Sequence, residues 1–232
     1  MRSFFLPIAI ASAFVLGGCG DKEPKPMTGA IAIATSEDHA SGEMAQTAPV
    51  IVMLGDSLTA GYQLPAGSAL PAALQRDLEA RGIEAKFVNA GVSGDTTADG
   101  LQRYDWSVTG SNADLLVVAL GANDFLQSLP PETPHKNLAA ILDRARQDNL
   151  PAVLIGVSIP GEAQDEREAA YAAIYPELAG QYGVPYFPNM LRAIAGQPSL
   201  LMQDGIHPTS EGVEAMADQI AGFLAPLVQD LN

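Results

Sequence analysis

The sequence holds a single cysteine, Cys19, in 232 residues. No intrachain disulfide can form, and a cysteine-built metal site is excluded. Basic residues are scarce: 12 Lys and Arg stand against 27 Asp and Glu, for a formal net charge of −15. Nucleic-acid backbones select basic surfaces, so this balance argues against nucleic acid as a partner. It argues less strongly against an anionic membrane, and solubility is its simplest reading. Aromatic residues make up 6% of the chain and Trp106 is its one tryptophan, which is little from which to build a platform for sugars. No apolar run reaches the roughly 20 residues that span a bilayer comfortably. Hydrophobic residues nevertheless amount to 47%, enough for a sizeable core in one ordinary domain.

The position of the lone cysteine is informative. Met1-Arg2 is a short basic start, Phe4 to Val15 is mostly apolar, and Leu16-Gly17-Gly18-Cys19 follows. Charged, proline-rich sequence begins at once with Asp21-Lys22-Glu23-Pro24. This is the order of a secretory signal. Leu-Gly-Gly-Cys resembles a bacterial lipobox, which implies a leader over residues 1–18 and lipidation at Cys19. A plain secretory signal with an incidental Cys is the alternative. Several acyl chains on one residue satisfy the need for more than one anchoring signal. Gly20 in place of Asp after the cysteine resembles the pattern sorted to the outer membrane, facing the periplasm. Residues 19–48 lack a sustained apolar period and read as a flexible tether.

From Pro49 onward strands and helices alternate. Val50 to Leu54, Ala85 to Asn89, Asp114 to Leu120, Ala152 to Val157 and Val184 to Phe187 read as strands. Leu70 to Arg81, Thr96 to Tyr104, Pro134 to Asn149, Arg167 to Tyr182 and Thr209 to Leu227 read as helices. The pattern predicts an α/β domain over residues 49–232, a five-stranded parallel sheet covered on both faces. Ligands of such sheets bind beyond the carboxyl ends of the strands.

Four short segments fall at that edge. Gly55-Asp56-Ser57-Leu58 follows strand one, Gly91-Val92-Ser93-Gly94 strand two, and Gly121-Ala122-Asn123-Asp124 strand three. Asp204-Gly205-Ile206-His207-Pro208 lies between strand five and the last helix. A Ser hydroxyl is a poor nucleophile until a base takes its proton. Of the three histidines, His39 is in the tether and His135 opens a helix as a surface residue. His207 has Asp204 three residues before it, a spacing that lets the carboxylate orient the ring and leaves the other nitrogen for Ser57. Gly94 and Asn123 are candidate oxyanion donors beside the Ser57 N–H. Taken singly, Ser57 and Asn123 could be helix caps, Gly94 a turn residue and Asp204–His207 a self-stabilised turn. Together they supply every part that acyl transfer to water requires.

These segments resemble the four sequence blocks of the GDSL or SGNH hydrolase family. The likeness runs on through Thr59-Ala60-Gly61-Tyr62 and through Asp95-Thr96-Thr97, in the manner of the branch that holds bacterial arylesterases, thioesterase I and lysophospholipase L1. It covers roughly residues 49 to 228. It implies a three-layer α/β/α, flavodoxin-like domain that uses neither metal nor other cofactor. It also implies Ser57 as nucleophile, His207 as base, Asp204 as its orienter, an oxyanion hole from Ser57, Gly94 and Asn123, and a structural role for Asp56. The substrate would be a small ester, thioester or lipid-derived molecule. The acidic stretch Gly161 to Glu166 departs from the expected pattern and leaves substrate preference open. A polysaccharide deacetylase is the second enzymatic reading. A binding lipoprotein on a hydrolase fold is the non-enzymatic one, and it would lack one of these groups.

Overall fold

The computed structural model describes residues 47–157 and 165–231. The leader, Cys19, the tether up to residue 46 and most of the acidic stretch Gly161 to Glu166 lie outside the described residues.

The first strand, β1 (Val50–Gly55), has five of its six residues buried, as its unbroken apolar run requires of a strand covered on both faces. A short helix α1 (Ser57–Ala60) follows, and then α2 (Leu70–Ala80). Strand β2 (Lys86–Gly91) is half-exposed. Beyond it come α3 (Thr97–Gln102) and α4 (Tyr104–Ser107). The fully buried β3 (Leu115–Ala119) leads into α5 (Ala122–Leu126) and α6 (Glu132–Gln147). Strand β4 (Ala152–Ile155), α7 (Glu166–Tyr182), β5 (Tyr186–Phe187) and α8 (Ser210–Gln229) complete the chain.

All pairings are parallel, in the order β2-β1-β3-β4-β5. This is the flavodoxin-like order, with its reversal beside β1. Helix α2 packs on α8, while α6 packs against α3 and α7, giving two helical layers around the sheet. Among the described residues, no helix is long and apolar enough to cross a membrane.

Two elements differ from the sequence reading. The single helix expected over Thr96–Tyr104 is two helices with a break at Arg103. The Arg103 side chain turns inward there, to Asp95 and the Gly55 carbonyl. Thr96 caps the first of the two, in a reciprocal capping box with Asp99. Strand five is cut to two residues because Pro185 has no N–H to donate, though its carbonyl still accepts from Leu154 N at 3.0 Å.

The register sets the site. Gly55 lies opposite Gly91 on one side and Ala119 on the other, so β1, β2 and β3 end nearly level. At that edge Gly91 packs directly against the main chain of α1. A Cβ there would stand 2.4 Å from the Ala60 main-chain nitrogen. Gly91→Ala should push β2 away from α1 and cost about 1–3 kcal/mol. Urea unfolding of variant and parent checks this, and equal midpoints would refute it.

Candidate active site

Asp56 starts the site. Its side chain caps α1 by accepting from Leu58 N at 3.0 Å, which places Ser57 as the first helical residue. The cap is buried, 1% exposed. Burial raises the Asp56 carboxyl from 3.8 to about 6, against the lowering pull of the Leu58 N–H and of His207. The main chain then leaves α1 through Gly61 in the left-handed region and carries Tyr62 to the His207 ring, with centroids 4.3 Å apart.

His207 is held by a compact loop. Met202 N donates to the His207 carbonyl at 2.7 Å, and Leu201 bridges Pro208. Asp204 Oδ1 accepts from the main-chain N–H of Ile206 at 2.9 Å and of His207 at 3.0 Å. Its Oδ2 lies 2.7 Å from His207 Nδ1. Those two backbone donors, with the imidazole third, hold the Asp204 carboxyl down at about 2. Asp204 is therefore an anion at any pH near neutrality and accepts the Nδ1–H. His207 Nε2 is then left as the acceptor, 2.9 Å from Ser57 Oγ. Ser57, His207 and Asp204 form one chain of hydrogen bonds although 150 residues separate the first two.

The two remaining candidates sit on adjacent loops. Gly94 has φ +91 and open space where a side chain would project. Asn123 stands in the first turn of α5. Its Nδ2 donates to the Asp95 carbonyl at 2.9 Å and leans on Asp56 Oδ2 at 3.4 Å. Asn123 thus ties the Gly94 turn to the serine helix. His135 lies apart, facing Glu177 at 3.9 Å on the surface.

Arg103 was not singled out in the sequence. It bridges Asp95 at 2.6 Å and the Gly55 carbonyl at 2.9 Å, so it joins the ends of two loops. No spacing could mark it, because its partners are 8 and 48 residues away. Nor did periodicity reveal the cleft beside Ser57. Its volume is about 250 Å³, and Leu58, Phe125, Leu191, Ile194 and Ile206 line it with no charged side chain among the lining residues. These apolar positions look like ordinary core in the sequence.

An activated serine beside an apolar cleft can attack an acyl carbonyl. The comparisons agree with that chemistry. The profile of the GDSL-like lipase/acylhydrolase family matches residues 53–215. Thioesterase 1/protease 1/lysophospholipase L1 of Escherichia coli (strain K12) is 33% identical over 184 residues, covering 79% of this chain and 87% of that protein. The arylesterase of Vibrio mimicus is 31% identical over 176 residues, covering 76% of this chain and 88% of its own. The crystal structure of AlinE4, an SGNH-hydrolase family esterase, superposes with TM-score 0.65 at 37% identity, covering 79% of this chain and 96% of that one. The chain belongs to the GDSL-like lipase/acylhydrolase family and is a serine ester hydrolase.

Proposed function

We propose that the enzyme cleaves carboxylic ester and thioester bonds of acyl-chain substrates through an acyl-enzyme on Ser57. The observation that carries this reading is the 2.9 Å approach of His207 Nε2 to Ser57 Oγ, with Asp204 behind the ring and an apolar cleft alongside. Nε2 takes the hydroxyl proton as Oγ attacks the carbonyl carbon. The N–H groups of Ser57 and Gly94 and the Asn123 amide receive the oxyanion. Asn123 would give it the N–H that leans on Asp56, the longer of its two contacts. The C–O or C–S bond then breaks, and the imidazolium returns the proton to the leaving alcohol or thiol. Water repeats the sequence: Nε2 takes its proton, the hydroxide attacks the acyl carbon, and Ser57 leaves with the proton. The products are a carboxylic acid and an alcohol or thiol.

The cleft favours an acyl chain over a sugar. It is apolar, and its volume lies below the roughly 300–1,000 Å³ usual for drug-sized ligands. A slim hydrocarbon chain suits it better than a polysaccharide does. The N-terminal sequence supports an enzyme exported past a leader over residues 1–18, lipidated at Cys19 and tethered to a membrane by residues 19–48. Within that reading the hydrolytic domain is residues 49–232 and the anchoring site is the periplasmic face of the outer membrane.

Four outcomes test this reading and the site it rests on. Ser57→Ala should lower turnover of p-nitrophenyl butyrate about a thousandfold or more without changing the unfolding midpoint. A fluorophosphonate should add its mass to the peptide holding Ser57 in the parent only, and labelling elsewhere would defeat the acyl-enzyme. Asp56, raised to about 6, gives stability that is complete below 3.8 and is lost as pH rises through 6. Asp56→Asn should therefore gain on the parent by about 2–3 kcal/mol more at pH 8 than at pH 4, read by denaturant unfolding; a gain independent of pH would contradict the buried charge. Cys19→Ser, expressed in a bacterium that processes lipoproteins, should move the protein from the membrane fraction to the soluble one. An unchanged distribution would refute the anchor.

A further inference from the structure

The segment from Leu120 to Leu129 carries both Asn123 and one wall of the cleft, through Ala122, Phe125 and Leu126. Its only regular structure is the five-residue α5. A helix this short cannot hold itself, since nucleation costs more than one turn of hydrogen bonds returns. Something else must fix the segment.

Helix α7 presents three donors to it. Tyr175 Oη donates to the Leu120 carbonyl at 2.8 Å. Arg167 Nη2 donates to the Phe125 carbonyl at 2.5 Å. Tyr171 Oη donates to the Leu129 carbonyl at 2.8 Å. The donors stand four residues apart, so they form one row on one face of the helix. Each reaches a main-chain carbonyl of the same ten-residue stretch.

The row also grips side chains. The Arg167 guanidinium lies 4.1 Å from the centre of the Phe125 ring. Tyr171 meets that ring edge-on at 5.2 Å and 89°. Phe125 is thereby held from two directions by contacts of cation–π and edge-to-face type. At the other end, Gly121 (φ +124) admits the Tyr175 hydroxyl, which would stand 2.3 Å from any Cβ there.

We propose that the row Arg167, Tyr171 and Tyr175 is a positioning device for the cleft wall, beside the buried Asp124 that accepts from Thr97, and that the row governs which acyl chains the enzyme accepts. The selectivity half rests on the ester-hydrolase reading above. A wall that must be ordered by the substrate weakens binding of long chains, because ordering is charged against affinity. Acetyl groups touch little of the wall and escape most of that cost.

The test uses the purified full chain with p-nitrophenyl acetate and octanoate. In Arg167→Ala the octanoate-to-acetate ratio of kcat/KM should fall at least fivefold, mainly through KM for octanoate. Arg167→Lys, which keeps a cation and N–H donors, should recover part of the ratio. Tyr171→Phe keeps the ring contact and loses one donor, so its fall should be smaller. Amide hydrogen exchange over residues 121–129 should quicken in Arg167→Ala. A loss shared equally by both esters, or a ratio unchanged by all three substitutions, would overturn the selectivity role. Unchanged exchange would overturn the positioning role. A parent enzyme that hydrolyses neither ester would defeat the ester reading instead, and exchange would still decide whether the row positions the wall.

Discussion

Everything at the active site depends on three parallel strands ending level. Because β1 pairs with β2 and β3 so that Gly55 faces both Gly91 and Ala119, the loops that follow all three emerge side by side. The pairing is enforced by burial: β1 and β3 are apolar throughout and leave no polar face to point outward. With a side-chain period of two, a one-residue slip would turn the strands over. The register is the device that gathers Ser57, Gly94 and Asn123.

On that platform the polar groups are arranged by main-chain amides more than by ion pairs. Asp56 is oriented by the Leu58 N–H and Asp204 by those of Ile206 and His207. The consequences run in opposite directions. Asp204 keeps contact with water and accepts three hydrogen bonds, so its carboxyl is lowered to about 2. Asp56 is nearly enclosed and its carboxyl is raised to about 6. Two aspartates in one site thus differ by environment alone. One is a dependable anion for the imidazole. The other holds a charge that burial penalises, next to the amide that the oxyanion would need.

Much of this was legible in the chain. Continuous apolar runs marked β1 and β3 because a strand covered on both faces has no alternation to obscure it. Ser57, His207 and Asp204 could be assembled because only one histidine has an aspartate at the right spacing. Helix boundaries were less legible where a long-range contact intervened. Arg103 ends α3 early because its guanidinium is used by Asp95 and Gly55, and Pro185 shortens β5 by withholding a donor. The cleft was illegible for another reason: Phe125, Leu191 and Ile194 have the composition of core residues, and nothing local says that they face a void.

The sequence by itself determined the alternation of strands and helices, the segments that end at the sheet edge and the chemistry each can offer. Those properties are local: apolar period, capping preference, and the identity of a nucleophile, a base and a carboxylate. Only the tertiary structure decided which groups meet. The leaning of Asn123 on Asp56, the tilted ring contact of Tyr62 with His207, the bridge made by Arg103 and the three carbonyls reached from α7 join residues between 8 and 145 positions apart. Such contacts leave no periodic trace, because the distance between them along the chain is set by the length of whole elements and not by the geometry of one.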